Sequence, residues 1–132
     1  MTQEDKELLL VDLCARLPYG VKCQFEDTIR LIDGEGESFY DYTLSARHLD
    51  LFINHANFYI KPYLRPMSSM TEEEWNDYKS TWKLIEHDLE DTYEPCIESF
   101  DWLNANYFDY RGLIEKGLAL EAPKGMYGKE EQ

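Results

Sequence analysis

The apolar spacing of this chain changes at Gly20, and that change constrains the fold more than any other feature. Up to it, Leu10, Leu13, Cys14 and Leu17 recur at i, i+3, i+4 and i+7, the period of one buried helix face. Thr2 suits the N-cap, with Asp5 three residues on and acids in the first turn, where the helix dipole favours them. Pro18 and Gly20 end the helix, giving a predicted span of 1–18. From Val21 the period drops to two. Val21, Cys23 and Phe25 alternate with Lys22, Gln24 and Glu26, the pattern of a half-buried strand. A chain that changes period in this way predicts an α+β domain.

Three more strand-like runs follow, Thr28–Ile32, Ser38–Leu44 and His48–Ile53, the last with Leu49, Leu51 and Ile53 on one face. Asp33-Gly34-Glu35-Gly36 is a turn signal, since glycine tolerates positive φ. Residues 21–53 are therefore expected to form an antiparallel meander. Pro62 and Pro66 predict an extended connector over 60–67, lying on the surface of the sheet or helices.

Helices are expected across 71–117. Thr71 and Glu74 form a capping box, and Met70 and Trp75 occupy the positions of a hydrophobic staple. Trp75, Tyr78, Trp82, Ile85 and Leu89 then make a stripe that predicts a helix to about residue 90, with that stripe in the core. Pro95 suits the first position of the next helix, on which Ile97, Phe100 and Leu103 face inward. Asp109 could cap a short last helix ending at Gly117, and the tail 122–132 is expected to fray. At 132 residues, with 43% hydrophobic and 14% aromatic side chains, the chain fits one domain, 1–132.

Charge narrows the function. Twenty-seven acids against 13 bases give a net −14, the opposite of what phosphate neutralisation requires. Direct nucleic-acid binding and attachment to anionic lipid are therefore not expected. No apolar run approaches the roughly 20 residues of a membrane span. The opening residues are acidic where a secretory signal would be basic. A cytoplasmic location is expected. Cys14, Cys23 and Cys96 are odd in number and widely spaced, as suits reduced, buried thiols.

Motifs for chemistry are missing. There is no C-x-x-C, H-x-x-x-H or H-E-x-x-H, and His48, His55 and His87 are far apart in sequence. A calcium loop started at Asp33 would need Gly at Ser38 and Glu at Leu44. Neither a G-x-S-x-G elbow nor a Gly-rich phosphate loop occurs. No catalytic residue, metal ligand or cofactor is assigned.

The acids are unevenly placed: residues 70–101 hold eleven of them against two bases. Glu72, Glu73, Asp77, Glu86, Asp88, Glu90 and Asp91 would form an anionic face on the long helix. Such a face can imitate nucleic-acid phosphate and occupy a basic groove on a partner, or it can be an ordinary solvated helix face. Tyr40 and Tyr42 are candidate anchors for the same contact, or sheet-packing residues.

Three stretches carry a resemblance: MTQEDKELLLVDLCARLPYG (1–20), KPYLRPMSSMTEEE (61–74) and FDWLNANYFDYRGLIEKGLALEAPKGMY (100–127). They resemble small proteins encoded by phages, prophages and mobile elements of gut bacteria, a group that implies no particular activity. The resemblance implies a shared helical frame around a variable β region. Relatives often carry two histidines where this chain has Asn106 and Tyr107, so a histidine-dependent site there is not implied. The genomic context implies small acidic proteins that disable host defence, anti-CRISPR and anti-restriction proteins among them. The expected function is thus a non-catalytic, acidic protein-binding module, an anti-CRISPR-like DNA mimic whose partner is a host protein with a basic groove. The alternatives are a small enzyme with a pocket between sheet and helices, or a self-associating phage accessory protein; the oligomeric state stays open.

Overall fold

The computed structural model describes residues 1–26 and 39–128. Helix α1 (Gln3–Arg16) starts as expected, the Thr2 hydroxyl accepting a hydrogen bond from the Asp5 N–H at 3.0 Å. Its buried face differs by one position from the predicted one. Leu9, Asp12, Leu13 and Arg16 are buried, whereas Cys14 is exposed and Leu10 and Leu17 are half-buried. The spacing is still i, i+3, i+4, i+7, but two of the four positions are charged. Arg16 Nε donates to Asp12 at 2.9 Å, its NH2 group donates to the Phe108 carbonyl at 2.6 Å, and Arg111 reaches Asp12 at 2.6 Å. Ion pairing is what lets these groups leave water, and a count of apolar residues cannot anticipate it.

The fold is α+β. Strand β1 (Lys22–Glu26) lies between β2 (Phe39–Thr43) and β3 (Ile60–Pro66), antiparallel to both, with Cys23 opposite Tyr42 on one side and Pro62 on the other. Val21, Cys23 and Phe25 are buried, as their alternation predicts. The runs Thr28–Ile32 and Asp33–Gly36 lie outside the described residues.

The meander ends sooner than expected. Residues 48–53 belong to helix α2 (Ala46–Asn54), not to a strand. Ser45 caps it, its N–H donating to His48 Nδ1 at 3.0 Å, and Leu49 and Phe52 are buried one turn apart. A six-residue run can satisfy both periods, and here the cap and the packing of that turn decide.

The proline connector is the sheet's central strand. β3 is largely buried and pairs in parallel with β6 (Phe108–Asp109) and β7 (Leu120–Glu121), making a mixed five-stranded sheet. Residues 60–62 pair with β1 and residues 63–66 with β6 and β7, so Pro62 sits at the changeover and Pro66 at the strand end. A missing N–H disturbs a ladder least at such positions.

Helix α3 (Glu72–Lys79) has the predicted capping box, each of its two hydrogen bonds 3.1 Å long. It stops at Lys79 rather than near 90. The Ser80 and Thr81 hydroxyls turn back onto the carbonyls of Asp77 and Tyr78, both at 2.6 Å, and take up acceptors that a further turn would have used. The chain then forms a separate antiparallel hairpin, β4 (Lys83–Ile85) and β5 (Thr92–Glu94). Helix α4 (Ile97–Ala105) has Cys96 as its N-cap, so Pro95 precedes the cap instead of opening the helix. Of the three residues expected to face inward from it, only Leu103 is buried; Ile97 and Phe100 are exposed.

Two apolar clusters hold these elements together. The larger is built on Leu9, Leu13, Phe25, Phe52, Leu64 and Leu113. The smaller has Tyr78, Leu103 and Phe108, with Met70, Trp82 and Trp102 against them. Asp109 caps a turn, not a helix, accepting from the Leu113 and Ile114 N–H groups at 2.9 Å; Gly117 closes it at φ 75°. The tail is tied down to residue 128. The Tyr127 hydroxyl donates to the Tyr63 carbonyl at 2.8 Å and accepts from the Lys22 N–H at 3.0 Å, and its ring stacks on Tyr107 at 3.7 Å.

Candidate binding surface

The seven acids proposed for the contact are divided between two elements. Glu72, Glu73 and Asp77 lie on α3, while Glu86, Asp88, Glu90 and Asp91 lie in the turn joining β4 to β5. All seven are exposed, and among the described residues none forms an ion pair. The expectation of one continuous helical face fails, because the helix that would have carried it ends at Lys79.

Their neighbours are more engaged. Glu74 accepts two hydrogen bonds from the buried Arg65 guanidinium, at 2.7 and 2.8 Å. Burial works to raise the Glu74 pKa, but bonding to Arg65 and to the Thr71 N–H, with the Arg65 charge, holds it below the usual value. Glu98 is bound by the Cys96 thiol, and by Lys83 at 3.1 Å, and is lowered to about 2. From the hairpin turn, His87 contacts Thr92 at 3.1 Å and Glu94 at 3.4 Å.

A cleft of about 390 Å³ opens beside α3, lined by Thr71, Glu73, Glu74, Asp77, Trp102 and Asn106. Arg65 occupies both Glu74 oxygens, so Glu73 and Asp77 are the carboxylates left open to it. Asn106 bonds back to the Trp102 carbonyl at 2.9 Å. Tyr107 holds φ at 65° and donates to the Tyr19 carbonyl.

Tyr40 and Tyr42 are on β2, at the opposite end of the sheet from β6. Both are exposed, but the Tyr40 ring packs 5.6 Å from Phe25, and Tyr42 meets His48 edge-on at 6.2 Å. Helix α4 packs on β6, and α3 packs on α4. The structure therefore does not bring these tyrosines to the acidic elements.

Exposed apolar side chains accompany the hairpin acids instead, and Leu89 and Ile97 among them were expected in the core. Leu84 and Tyr93 are cross-strand partners and both exposed, and Leu89 at the turn is 100% exposed. Ile97, immediately after the hairpin, is 79% exposed. The signal that could have revealed this is local: two hydroxyl residues after Lys79, then a β-branched and aromatic run, Thr92-Tyr93.

Among the described residues no group of three or more His, Cys, Asp or Glu side chains is placed to hold a metal ion, and no helix is long and apolar enough to cross a membrane. Of the three thiols only Cys23 is buried, where desolvation pushes its pKa up; Cys96 is half-buried and Cys14 exposed, contrary to the expectation of three buried cysteines. Comparison of the chain with protein-family models, with curated proteins and with solved structures finds no match.

Proposed function

We propose that this protein is a non-catalytic, acidic binding module of phage or mobile-element origin that occupies a basic groove on a nucleic-acid-handling host protein. The observation that supports it is the group of seven exposed carboxylates without ion pairs among the described residues, gathered within residues 72–91. Carboxylates free of lysine and arginine partners keep their field available to a cationic partner and can steer its approach. The CRISPR effector class is a suitable target, because its nucleic-acid channel is positively charged.

Capture from host lysate at graded salt, with duplex DNA as competitor, tests the proposal. Capture should weaken as salt rises from about 0.1 M to about 1 M, where the screening length falls from about 10 Å to about 3 Å. DNA should displace the captured protein. Capture insensitive to both would overturn the phosphate-mimic role. The cleft beside α3 favours the alternative of a small enzyme, with Glu73 and Asp77 as its free polar groups. Turnover abolished by Asp77→Asn would establish that alternative.

A further inference from the structure

We infer that the β4–β5 hairpin is the docking element of this module, and that its occupant is a basic amphipathic segment of the partner. The inference rests on the acidic binding role proposed above and assigns it to one element. Three observations lead to it.

The first is exposure. Every residue of β4 is exposed, as are two of the three in β5, the remaining one being half-exposed. A two-stranded hairpin with so little cover is marginal by itself in water, and a surface that binds commonly completes such an element.

The second is the distribution of apolar side chains. Cross-strand pairing puts Leu84 and Tyr93 on one face, while Lys83, Ile85, Thr92 and Glu94 take the other. On that second face Lys83 is engaged with Glu98, and His87 with Thr92 and Glu94. The Leu84–Tyr93 pair has no such engagement among the described residues and forms an open apolar step. Leu89 extends the apolar surface at the turn. Apolar surface rimmed by polar groups is a mark of an interaction site.

The third is charge. Between the two strands stand Glu86, Asp88, Glu90 and Asp91, exposed and without ion pairs among the described residues. Acids alternating with Leu89 complement a segment whose leucine-like residues are flanked by lysine or arginine. A purely polar cation would leave Leu84, Leu89 and Tyr93 in water. A neutral apolar segment would face the carboxylates uncompensated. Only a partner that is both basic and apolar matches the whole surface.

Two synthetic peptides test this against the intact protein: one with Lys and Leu at amphipathic helical spacing, and one with every Leu replaced by Ser. Affinities by fluorescence anisotropy and amide shifts by NMR give two independent readouts. The Lys/Leu peptide should bind at least tenfold tighter than the Lys/Ser peptide, the gain from burying about one apolar side chain. Its shifts should centre on residues 83–94, and Leu89→Ser should shrink the difference. Leu89 is fully exposed, so that variant leaves the fold intact. Equal binding of both peptides, with shifts on α3 and no effect of Leu89→Ser, would overturn the hairpin assignment while leaving the acidic role standing. Binding of neither would overturn both.

Discussion

Arg65 and Glu74 meet in a two-point ion pair between β3 and the first turn of α3, and the wholly buried guanidinium also lies 4.2 Å over the Phe108 ring. One glutamate thus completes the helix cap and neutralises a charge inside the sheet. Removing it takes both of these bonds from a buried guanidinium, a loss that costs about 3–5 kcal/mol when a buried pair is broken. Glu74→Ala should therefore destabilise the protein by about 3 kcal/mol or more. Thr71→Ala, which removes only the cap, should cost about 1 kcal/mol. Urea unfolding of the two variants checks the ranking.

The same pair makes stability depend on acid. Because the Glu74 pKa is lowered on folding, its contribution is complete above the unfolded value of 4.5 and is lost as pH falls below it. Unfolding midpoints measured downward from pH 5 should drop more steeply in the native protein than in Glu74→Gln.

His48 predicts a second pH window. Burial first, and the Arg47 charge second, lower its pKa from 6.5. The neutral ring stacks on Phe25 at 4.1 Å and accepts from the Ser45 N–H through Nδ1. Since the folded pKa lies below the unfolded one, stability is full above about 6.5 and declines as pH falls through the folded value. His48→Gln should flatten the decline between pH 7 and pH 5 in a thermal-melt series.

Tyr127 ties the last described residues to two strands through one hydroxyl. Tyr127→Phe keeps the ring stack and deprives the Lys22 N–H and the Tyr63 carbonyl of that partner. A loss of about 1–3 kcal/mol is expected, with the far-UV circular dichroism unchanged.

Neutralising the hairpin turn should separate binding from folding. The combined change Glu86→Gln, Asp88→Asn, Glu90→Gln and Asp91→Asn touches no ion pair among the described residues. Stability should stay within about 0.5 kcal/mol for each exposed site. Association with a cationic partner should slow, and a stopped-flow salt series measures it.

Local chemistry determined the parts whose forces act within a few residues. Thr2, the Thr71–Glu74 box and the alternation of Val21, Cys23 and Phe25 all do what their side chains predict. The α+β class followed from the change of period, and the acid-rich stretch was evident from composition. Tertiary structure decided the rest. Residues 48–53 are helical because Ser45 caps them and Leu49 and Phe52 have a core to enter. A proline-containing segment became the central strand because β1, β6 and β7 pair with it from distant parts of the chain. The expected long helix ends at Lys79, which moves Ile85 and Leu89 from an expected core to the surface and four acids onto a hairpin turn. Short-range patterns report what a residue prefers, but only long-range contacts determine which compatible preference is realised.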